Sequence, residues 1–262
     1  MLYFNITIFG GKMQIHIKNK IEIKNIKKSC QILAEVKQIV YNYIRPGVSL
    51  KELDSIAFNE IVKRGAQPAF LGLYGFKHTM CISVNEELIH GIPSDYILKD
   101  GDIVSCDLGC IYKGMNSDSA FTKGVGTITP INKKLINVAK QAFEAGVAAI
   151  KPGARVGDIS YAIGQVIRKN KFYTPDEYCG HGIGYSLHEE PNVFNDGLPG
   201  SGPLLKDGMV ICIEPMVMQK NSKVKVKSDG WTVVSASGLT NSHYEHTVLI
   251  QDGKGVVLTK GI

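Results

Sequence analysis

The sequence repeats one order of helices, turn and strand, and this repeat limits the folds open to the chain. A helical run of apolar residues ends at Pro46-Gly47, and a second such run ends at Pro152-Gly153, 106 residues later. Each run is followed by another helical pattern and by the tetrapeptide Leu-Lys-Asp-Gly, at 98–101 and at 205–208, which are 107 residues apart. Two signals at nearly one offset predict an internal duplication with pseudo-twofold symmetry. We therefore expect an α/β (α+β) chain whose two similar halves face a shared centre.

Apolar residues at helical spacing, together with end signals, predict two helices in each half. Proline and glycine at 46–47 and at 152–153 cannot continue a helix and mark where the first helix of each half stops. Ser49, with Glu52 three residues later, has the pattern of a capping box that starts the second helix. The predicted helices cover 26–44, 49–65, 135–150 and 158–169.

Composition indicates one globular unit. The chain has 262 residues, 44% of them hydrophobic, and a mean hydropathy of zero, which excludes a disordered or membrane-embedded protein. No Pro/Gly/Ser-rich tether divides it, so we expect a single domain over 13–262, with halves at about 13–125 and 126–262. Residues 1–12 lack a basic leader and precede a second methionine, Met13, so they are predicted to be a disordered extension or a misassigned start.

The cysteines and the charge bear on where the protein works. Six dispersed cysteines without a Cys-x-x-Cys pair argue against a disulfide framework or a zinc ribbon and favour the reducing cytoplasm. The net charge of +6 favours an anionic partner surface but is too diffuse to establish nucleic-acid binding.

Two carboxylates occupy matching places in the two halves. Asp107 follows the first Leu-Lys-Asp-Gly turn on an apolar strand, and Glu214 follows the second at the same offset. The strand of Asp107 joins another near Lys113-Gly114, and a hairpin centred between 112 and 113 would set Asp107 nearly opposite Asp118. Two facing anions repel unless a cation lies between them, so a metal site is one interpretation. Two solvated carboxylates on an exposed hairpin are the other.

Histidines and a further acid extend this set. The stretch 179–191 places His181 and His188 beside three glycines, which predicts an irregular turn that presents both imidazoles. Glu214 ends an otherwise apolar strand, and Glu245 interrupts the last β pattern. An oxygen-rich set with one imidazole suits divalent Mn, Fe or Co, and bridging carboxylates suit two ions about 3.5–4 Å apart.

With these residues assembled, the chain resembles the type I methionine aminopeptidases, in their short form without a zinc-finger extension. The resemblance covers about Met13 to the end and rests on His90-Gly91-Ile92-Pro93, Asp107, Asp118, His181 to His188, Glu189-Glu190-Pro191, Glu214-Pro215, Asp229-Gly230-Trp231 and Tyr244-Glu245-His246-Thr247. It implies the pita-bread fold, a curved, mainly antiparallel sheet covered by helices in two pseudo-twofold halves. It also implies two divalent ions (Co, Mn, Fe or Zn) ligated by Asp107, Asp118, His181, Glu214 and Glu245, with Asp118 and Glu245 bridging.

The implied reaction is hydrolytic removal of an N-terminal methionine that precedes a small residue, by a water or hydroxide that bridges the metals. The resemblance assigns a proton shuttle to Glu214, contact with the substrate carbonyl to His188, and contact with the scissile amide to His90. It assigns the methionine pocket to Phe70, Phe76, Cys81 and Trp231, although without the surrounding motifs these could be ordinary core aromatics.

This chain departs from relatives near the pocket. Leu73 stands where relatives often carry tyrosine, Leu187 where they often carry phenylalanine, and Lys77-His78 replace a turn that commonly contains proline. These changes leave the implied chemistry intact and bear on the shape of the pocket.

Two other functions remain as alternatives. A proline-type aminopeptidase of the same fold would carry a further amino-terminal domain, and a non-catalytic binding protein of this fold would have lost metal ligands. The implied partners are nascent polypeptide N-termini, with no membrane, and the chain is expected to be a monomer. A solvated face is the favoured explanation of two basic segments, and a contact with the ribosome surface is the other. The segments contain Lys18, Lys20, Lys24, Lys27, Lys28, Lys220, Lys223, Lys225 and Lys227.

Overall fold

The computed structural model describes residues 14–261, so the predictions for 1–12 lie outside the described residues. These residues form four α-helices: α1 (Lys20–Tyr43), α2 (Leu50–Lys63), α3 (Pro130–Ala148) and α4 (Val156–Lys169). The strands of the first half are β1 (Gln67–Pro68), β2 (Met80–Val84), β3 (Glu87–Ile89), β4 (Ile103–Tyr112) and β5 (Met115–Gly124). Those of the second half are β6 (Gly180–Gly182), β7 (Glu189–Val193), β8 (Val210–Ile213), β9 (Met216–Met218), β10 (Val224–Val226), β11 (Val233–Ser235), β12 (Asn241–His243), β13 (His246–Gln251) and β14 (Lys254–Val257).

All four predicted helices are present, and α1 and α3 start six and five residues before their predicted first residues, 26 and 135. Helix α1 begins after Asn19, whose side chain accepts hydrogen bonds from the backbone N–H groups of Ile21 and Glu22, while Glu22 accepts from the Asn19 backbone. Helix α3 begins with a proline at its first position after the cap Thr129. Caps and polar first turns therefore extend these helices beyond the residues that pack on the core.

Each half packs a helix pair on an antiparallel sheet, as the sequence repeat predicts. In the first half, α1 and α2 cover the sheet in which β4 pairs with β1, β2 and β5. In the second half, α3 and α4 cover the five-stranded sheet ordered β14-β13-β8-β6-β7. The β10-β11-β3 sheet and the β12-β9 pair complete the arrangement, and every strand pair in the described region is antiparallel.

The β4–β5 hairpin has a different register from the predicted one. Lys113 and Gly114 form a two-residue turn with φ of 48° and 76°, so Tyr112 pairs with Met115. Asp107 consequently lies opposite Ala120 and not opposite Asp118, which pairs with Gly109. The two carboxylates are diagonal neighbours on one face, because residues two apart on a strand share a face.

The two halves are joined along β5 and the segment between β12 and β13. Ala120 and Glu245 exchange both backbone hydrogen bonds, at 3.2 and 2.9 Å. The Thr247 hydroxyl donates to the Asp118 carbonyl at 2.8 Å and accepts from the Asp118 N–H at 3.1 Å. This ladder places Asp118 of the first half beside Glu245 of the second. Within residues 14–261, no helix is both long enough and apolar enough to cross a membrane.

Candidate metal centre

Five elements bring the predicted ligands to the join between the halves. Asp107 lies in the middle of β4, Asp118 on β5, and His181 on β6. Glu214 directly follows the last residue of β8. Glu245 lies in the two-residue break between β12 and β13, so both acids lie just outside the ends of these strands.

His181 is on a strand, which corrects the prediction of an irregular turn around it. The flanking glycines permit close approach of strands: a Cβ at Gly180 would collide with the Cys212 carbonyl, and one at Gly182 with the Glu190 carbonyl. His188 does lie in the irregular segment between β6 and β7. The glycines of this stretch thus serve β6 as well as the turn that follows it.

The imidazole of His181 points a nitrogen at two carboxylates. Its Nε2 lies 3.6 Å from Glu214 Oε1 and 3.9 Å from Asp118 Oδ2. Its Nδ1 lies 2.9 Å from the Gly182 carbonyl, which fixes that nitrogen as the N–H donor and leaves Nε2 with a lone pair. Burial lowers the pKa of His181 to about 3, so the ring is neutral. A lone pair that faces two acids is the arrangement of a metal ligand.

The acids are crowded into a protein interior that disfavours their charge. Burial raises the pKa of Asp118 well above its ordinary value, and the charges of Glu245, Asp107 and Glu214 add to the effect. Burial likewise raises the pKa of Glu214, with the Asp107 charge adding to it, and of Glu245, where the Glu214 charge is the next cause. Burial also raises the pKa of Asp107, although the charge of His243 partly opposes this increase. A divalent cation would remove both the repulsion and the desolvation cost.

Several oxygens at this site lack a partner within the described part of the chain. Asp107 Oδ1, Asp118 Oδ1 and Glu245 Oε1 are buried without a hydrogen bond there. Buried carboxylate oxygens are nearly always paired with a donor or a cation. The donor set of four carboxylates and an imidazole therefore fits divalent metal ions of the Mn, Fe or Co type.

Two residues on the same face are not among the predicted ligands. Possible ligand atoms of Asp118, His181, Cys212 and Glu245 lie within 4.8 Å of one another, and so do those of Glu214, His243 and Glu245. Cys212 precedes Glu214 by two residues, and His243 precedes Glu245 by two. Strand alternation was the signal that could have found both, because residues two apart point to one face. Asp107 belongs to neither group but adjoins them on the diagonal of the hairpin.

The two other predicted catalytic histidines border the acids. His188 lies edge-on to His181 with ring centroids 4.5 Å apart and is open to solvent, and the surrounding protein lowers its pKa. His90 lies edge-on to Tyr178 at 5.9 Å, and burial lowers its pKa to about 4, with His188 and His243 adding to the effect. Both rings are neutral near pH 7 and can donate or accept a hydrogen bond.

The predicted pocket residues form one apolar cluster beside the acids. Phe70, Phe76, Cys81 and Trp231 pack together, and Leu73 and Leu187 are in the same cluster. The rings of Phe76 and Trp231 are 5.1 Å apart. Cys81 pairs with Asp107 in the β2–β4 ladder, so one wall of the apolar cluster adjoins the candidate metal ligands.

One of the lysines assigned to a basic surface lies elsewhere. Lys18 is buried and its ammonium lies 2.6 Å from Glu189 Oε2, so it does not contribute to a solvated basic face. Lys227 is half-exposed and pairs with Glu87 at 2.6 Å. The other lysines of the two basic segments are exposed.

Comparisons with known proteins find matches over most of the chain. Residues 24–252 match metallopeptidase family M24. A methionine aminopeptidase of Helicobacter pylori is 43% identical over 252 residues, 95% of this chain and 100% of that protein. The crystal structure of a methionine aminopeptidase from Thermotoga maritima superposes with a TM-score of 0.93 at 39% identity, covering 94% of this chain and 100% of that one. A prolidase from Pyrococcus furiosus gives a TM-score of 0.76 at 27% identity, and only 65% of that longer chain is covered.

Proposed function

The chain belongs to metallopeptidase family M24, and we propose that it is a methionine aminopeptidase, a metal-dependent hydrolase that removes the N-terminal methionine from peptides and nascent proteins. One observation carries the proposal: buried carboxylate oxygens without a partner among residues 14–261 and the Nε2 of His181 face each other directly beside the apolar cluster.

We assign the metal site to Asp107, Asp118, His181, Glu214 and Glu245, and expect two divalent ions. Ions bound there would act as Lewis acids and would lower the pKa of a water molecule from about 15.7 toward about 7. Asp118 and Glu245 lie at the join of the two halves, which suits them to bridge the ions. Glu214, whose carboxylate is 12% exposed and lies between the imidazoles of His181 and His243, would accept the proton of the attacking water.

The two neutral histidines act on the substrate. His188 donates a hydrogen bond to the oxygen of the scissile carbonyl, which becomes more negative as the reaction proceeds. His90 contacts the scissile amide and assists the leaving nitrogen. Support for these roles comes from their positions, since His188 packs on the ligand His181 and the His90 pKa responds to His188 and His243.

The apolar cluster binds the methionine side chain. Phe76 and Trp231 provide aromatic faces for the thioether, and sulfur–aromatic contacts favour an unbranched polarizable side chain. A small second residue is expected, and the free α-amine would lie at the metal site.

The alternative functions have less support. A proline-type peptidase is disfavoured because the chain superposes on the methionine aminopeptidase with a TM-score of 0.93 at 39% identity, against 0.76 at 27% identity for the prolidase. A non-catalytic binding protein is disfavoured because every predicted ligand position carries a ligand side chain.

The setting of the reaction is part of the proposal. We place it in the cytoplasm, supported by six unpaired cysteines in the described chain, and expect a monomer because one chain supplies all the site residues. Exposed lysines of the two basic segments are proposed to contact ribosomal RNA where nascent chains emerge. Co-sedimentation with ribosomes should then fall steeply as salt increases, and binding that ignores salt would count against it.

The test of the activity is peptide hydrolysis by protein that has been depleted of metal and reloaded with Co²⁺ or Mn²⁺. We expect release of methionine from Met-Ala-Ser only after reloading, little reaction with Leu-Ala-Ser or acetyl-Met-Ala-Ser, and none with Ala-Pro-Ser. Cleavage of Ala-Pro-Ser in preference to Met-Ala-Ser would support the proline-type alternative. If the reloaded protein hydrolyses none of these peptides, both the methionine aminopeptidase and the proline-type peptidase proposals would be wrong.

A further inference from the structure

His243 is held rigidly at the candidate metal centre by the strand ladder. It ends β12, where it pairs with Met216 of β9. Its backbone N–H donates to the Thr122 hydroxyl at 2.9 Å, and its carbonyl accepts from the same hydroxyl at 2.8 Å. The residue is 2% exposed, so its ring lies inside the protein.

Both ring nitrogens of His243 are buried without a hydrogen-bond partner among residues 14–261. Leaving a buried polar atom unpaired costs on the order of 1–3 kcal/mol. The histidine three residues later behaves differently, because His246 bonds Thr259 through Nδ1 and Tyr244 through Nε2. The unpaired ring of His243 therefore points to a ligand that the polypeptide does not supply.

The distances around Nε2 match a shared cation better than a hydrogen bond. His243 Nε2 lies 3.5 Å from Glu214 Oε2 and 3.9 Å from Glu245 Oε2. An N–H···O bond spans about 2.7–3.2 Å, so both separations are too long. Two atoms bound to one ion at about 2.1 Å each can be up to about 4.2 Å apart, so both separations fit common ligation.

The predicted ligand His181 shows the same spacing on the other side of Glu214. Its Nε2 lies 3.6 Å from Glu214 Oε1, and the His243 Nε2 lies 3.5 Å from Glu214 Oε2. Each imidazole also approaches a second acid at 3.9 Å, Asp118 for His181 and Glu245 for His243. Glu214 is thus flanked by two imidazoles, one at each carboxylate oxygen.

We propose that His243 is a metal ligand, whose Nε2 binds an ion together with Glu214 and Glu245, so that the centre carries two imidazoles. The proposal rests on the metal site of the proposed function and adds a ligand to it. The competing role is a hydrogen bond from the His243 ring to Glu214, with the ion held by the other residues.

Proton NMR of the Co²⁺-loaded protein tests the proposal, because the ring N–H of an imidazole bound to Co²⁺ is shifted far downfield and disappears in D₂O. We expect two such signals in the wild type, one in His243→Gln and two in the matched control His246→Gln.

A single downfield N–H signal in the wild type, unchanged in His243→Gln, would overturn the proposal while leaving the metal site in place. Failure of the wild type to take up Co²⁺ would overturn the proposed function as well. The wild-type count decides between one and two imidazoles even if a variant does not fold.

Discussion

Two buried polar clusters lie back to back where the halves join, and they differ in how their polar atoms are satisfied. The first is the candidate metal centre, which contains Asp118 and Glu245. The second, here called the Lys37 cluster, contains Lys37, Ser119, His246 and Thr259. Ser119 follows Asp118 on β5, and successive residues of a strand point to opposite faces.

The Lys37 cluster satisfies its polar atoms internally. The fully buried Lys37 ammonium donates to the Ser119 hydroxyl at 2.8 Å and to the Thr259 carbonyl at 3.1 Å. The Ser119 hydroxyl in turn lies 2.7 Å from the Glu245 carbonyl, to which it can donate. At the metal centre, by contrast, carboxylate oxygens of Asp107, Asp118 and Glu245 have no partner within the described chain. Burial and polarity are common to both clusters, and the missing partners are what identify a ligand site.

The largest expected effect is a loss of activity when a residue of the candidate metal centre, and not of the Lys37 cluster, is changed. Asp118→Asn should lower kcat/KM roughly 10³-fold or more, since a metal supplies several kcal/mol of transition-state stabilisation. The free energy of unfolding of metal-depleted protein should not fall, because the change removes one of several buried like charges. Peptide kinetics and urea unfolding measure the two quantities. Near-normal turnover would show that Asp118 is not a ligand.

The next effect concerns the buried ammonium. Burial lowers the pKa of Lys37 from 10.5 to about 7, against raising by Glu245, so between these values the folded protein has lost a proton that the unfolded chain retains. The free energy of unfolding should therefore rise with pH across this window, by up to about 1.4 kcal/mol per unit.

Lys37→Met removes this titration, and Lys24→Met, exposed on the same helix, is the control. Urea unfolding of metal-depleted protein measures the free energy of unfolding at pH 7.5 and at pH 9.5. Over these ~2 units the free energy of unfolding should increase by about 2–3 kcal/mol more in the wild type and the control than in Lys37→Met. Equal slopes in all three proteins would mean that Lys37 keeps an ordinary pKa when folded.

A smaller effect is expected from the serine behind Asp118. Ser119→Ala leaves the Lys37 ammonium and the Glu245 carbonyl each without one partner and should cost about 1–2 kcal/mol of unfolding free energy. Methionine release should change little. A large loss of activity with unchanged stability would contradict the assignment of Ser119 to the Lys37 cluster and not to the metal centre.

The smallest effect tests a residue that lies on the metal face without a predicted role. Burial raises the pKa of Cys212 well above its ordinary value, with the Glu245 and Asp118 charges adding to it, and a thiol binds metal as the thiolate. Cys212→Ser should therefore leave the metal content unchanged and activity within about threefold. Loss of bound metal would make Cys212 a ligand.

The sequence predicts the helices and the repeat more reliably than the contacts between them. Apolar spacing locates α1 and α4, because core packing determines that spacing. The register of the hairpin depends on the positive φ angles of Lys113 and Gly114. Counting from an assumed centre therefore placed Asp107 opposite Asp118, two residues away from its true partner Ala120.

Residues whose surroundings come from distant segments were the hardest to predict. Lys18 belongs to a lysine-rich stretch, and only the fold brings it to Glu189, 171 residues away. His243 lies beside the predicted ligand Glu245, and its importance appears only when Glu214 from another strand is placed next to its ring. Spacing along the chain cannot supply such contacts.

The most direct test of the account is the number of ions that one chain binds. Protein loaded anaerobically with Co²⁺ and desalted should contain two ions per chain by mass spectrometry, Ser119→Ala should also contain two, and Asp118→Asn should contain at least one fewer. Wild-type protein without bound metal, or Asp118→Asn with the wild-type content, would contradict the claim that the unpaired carboxylates form a metal centre.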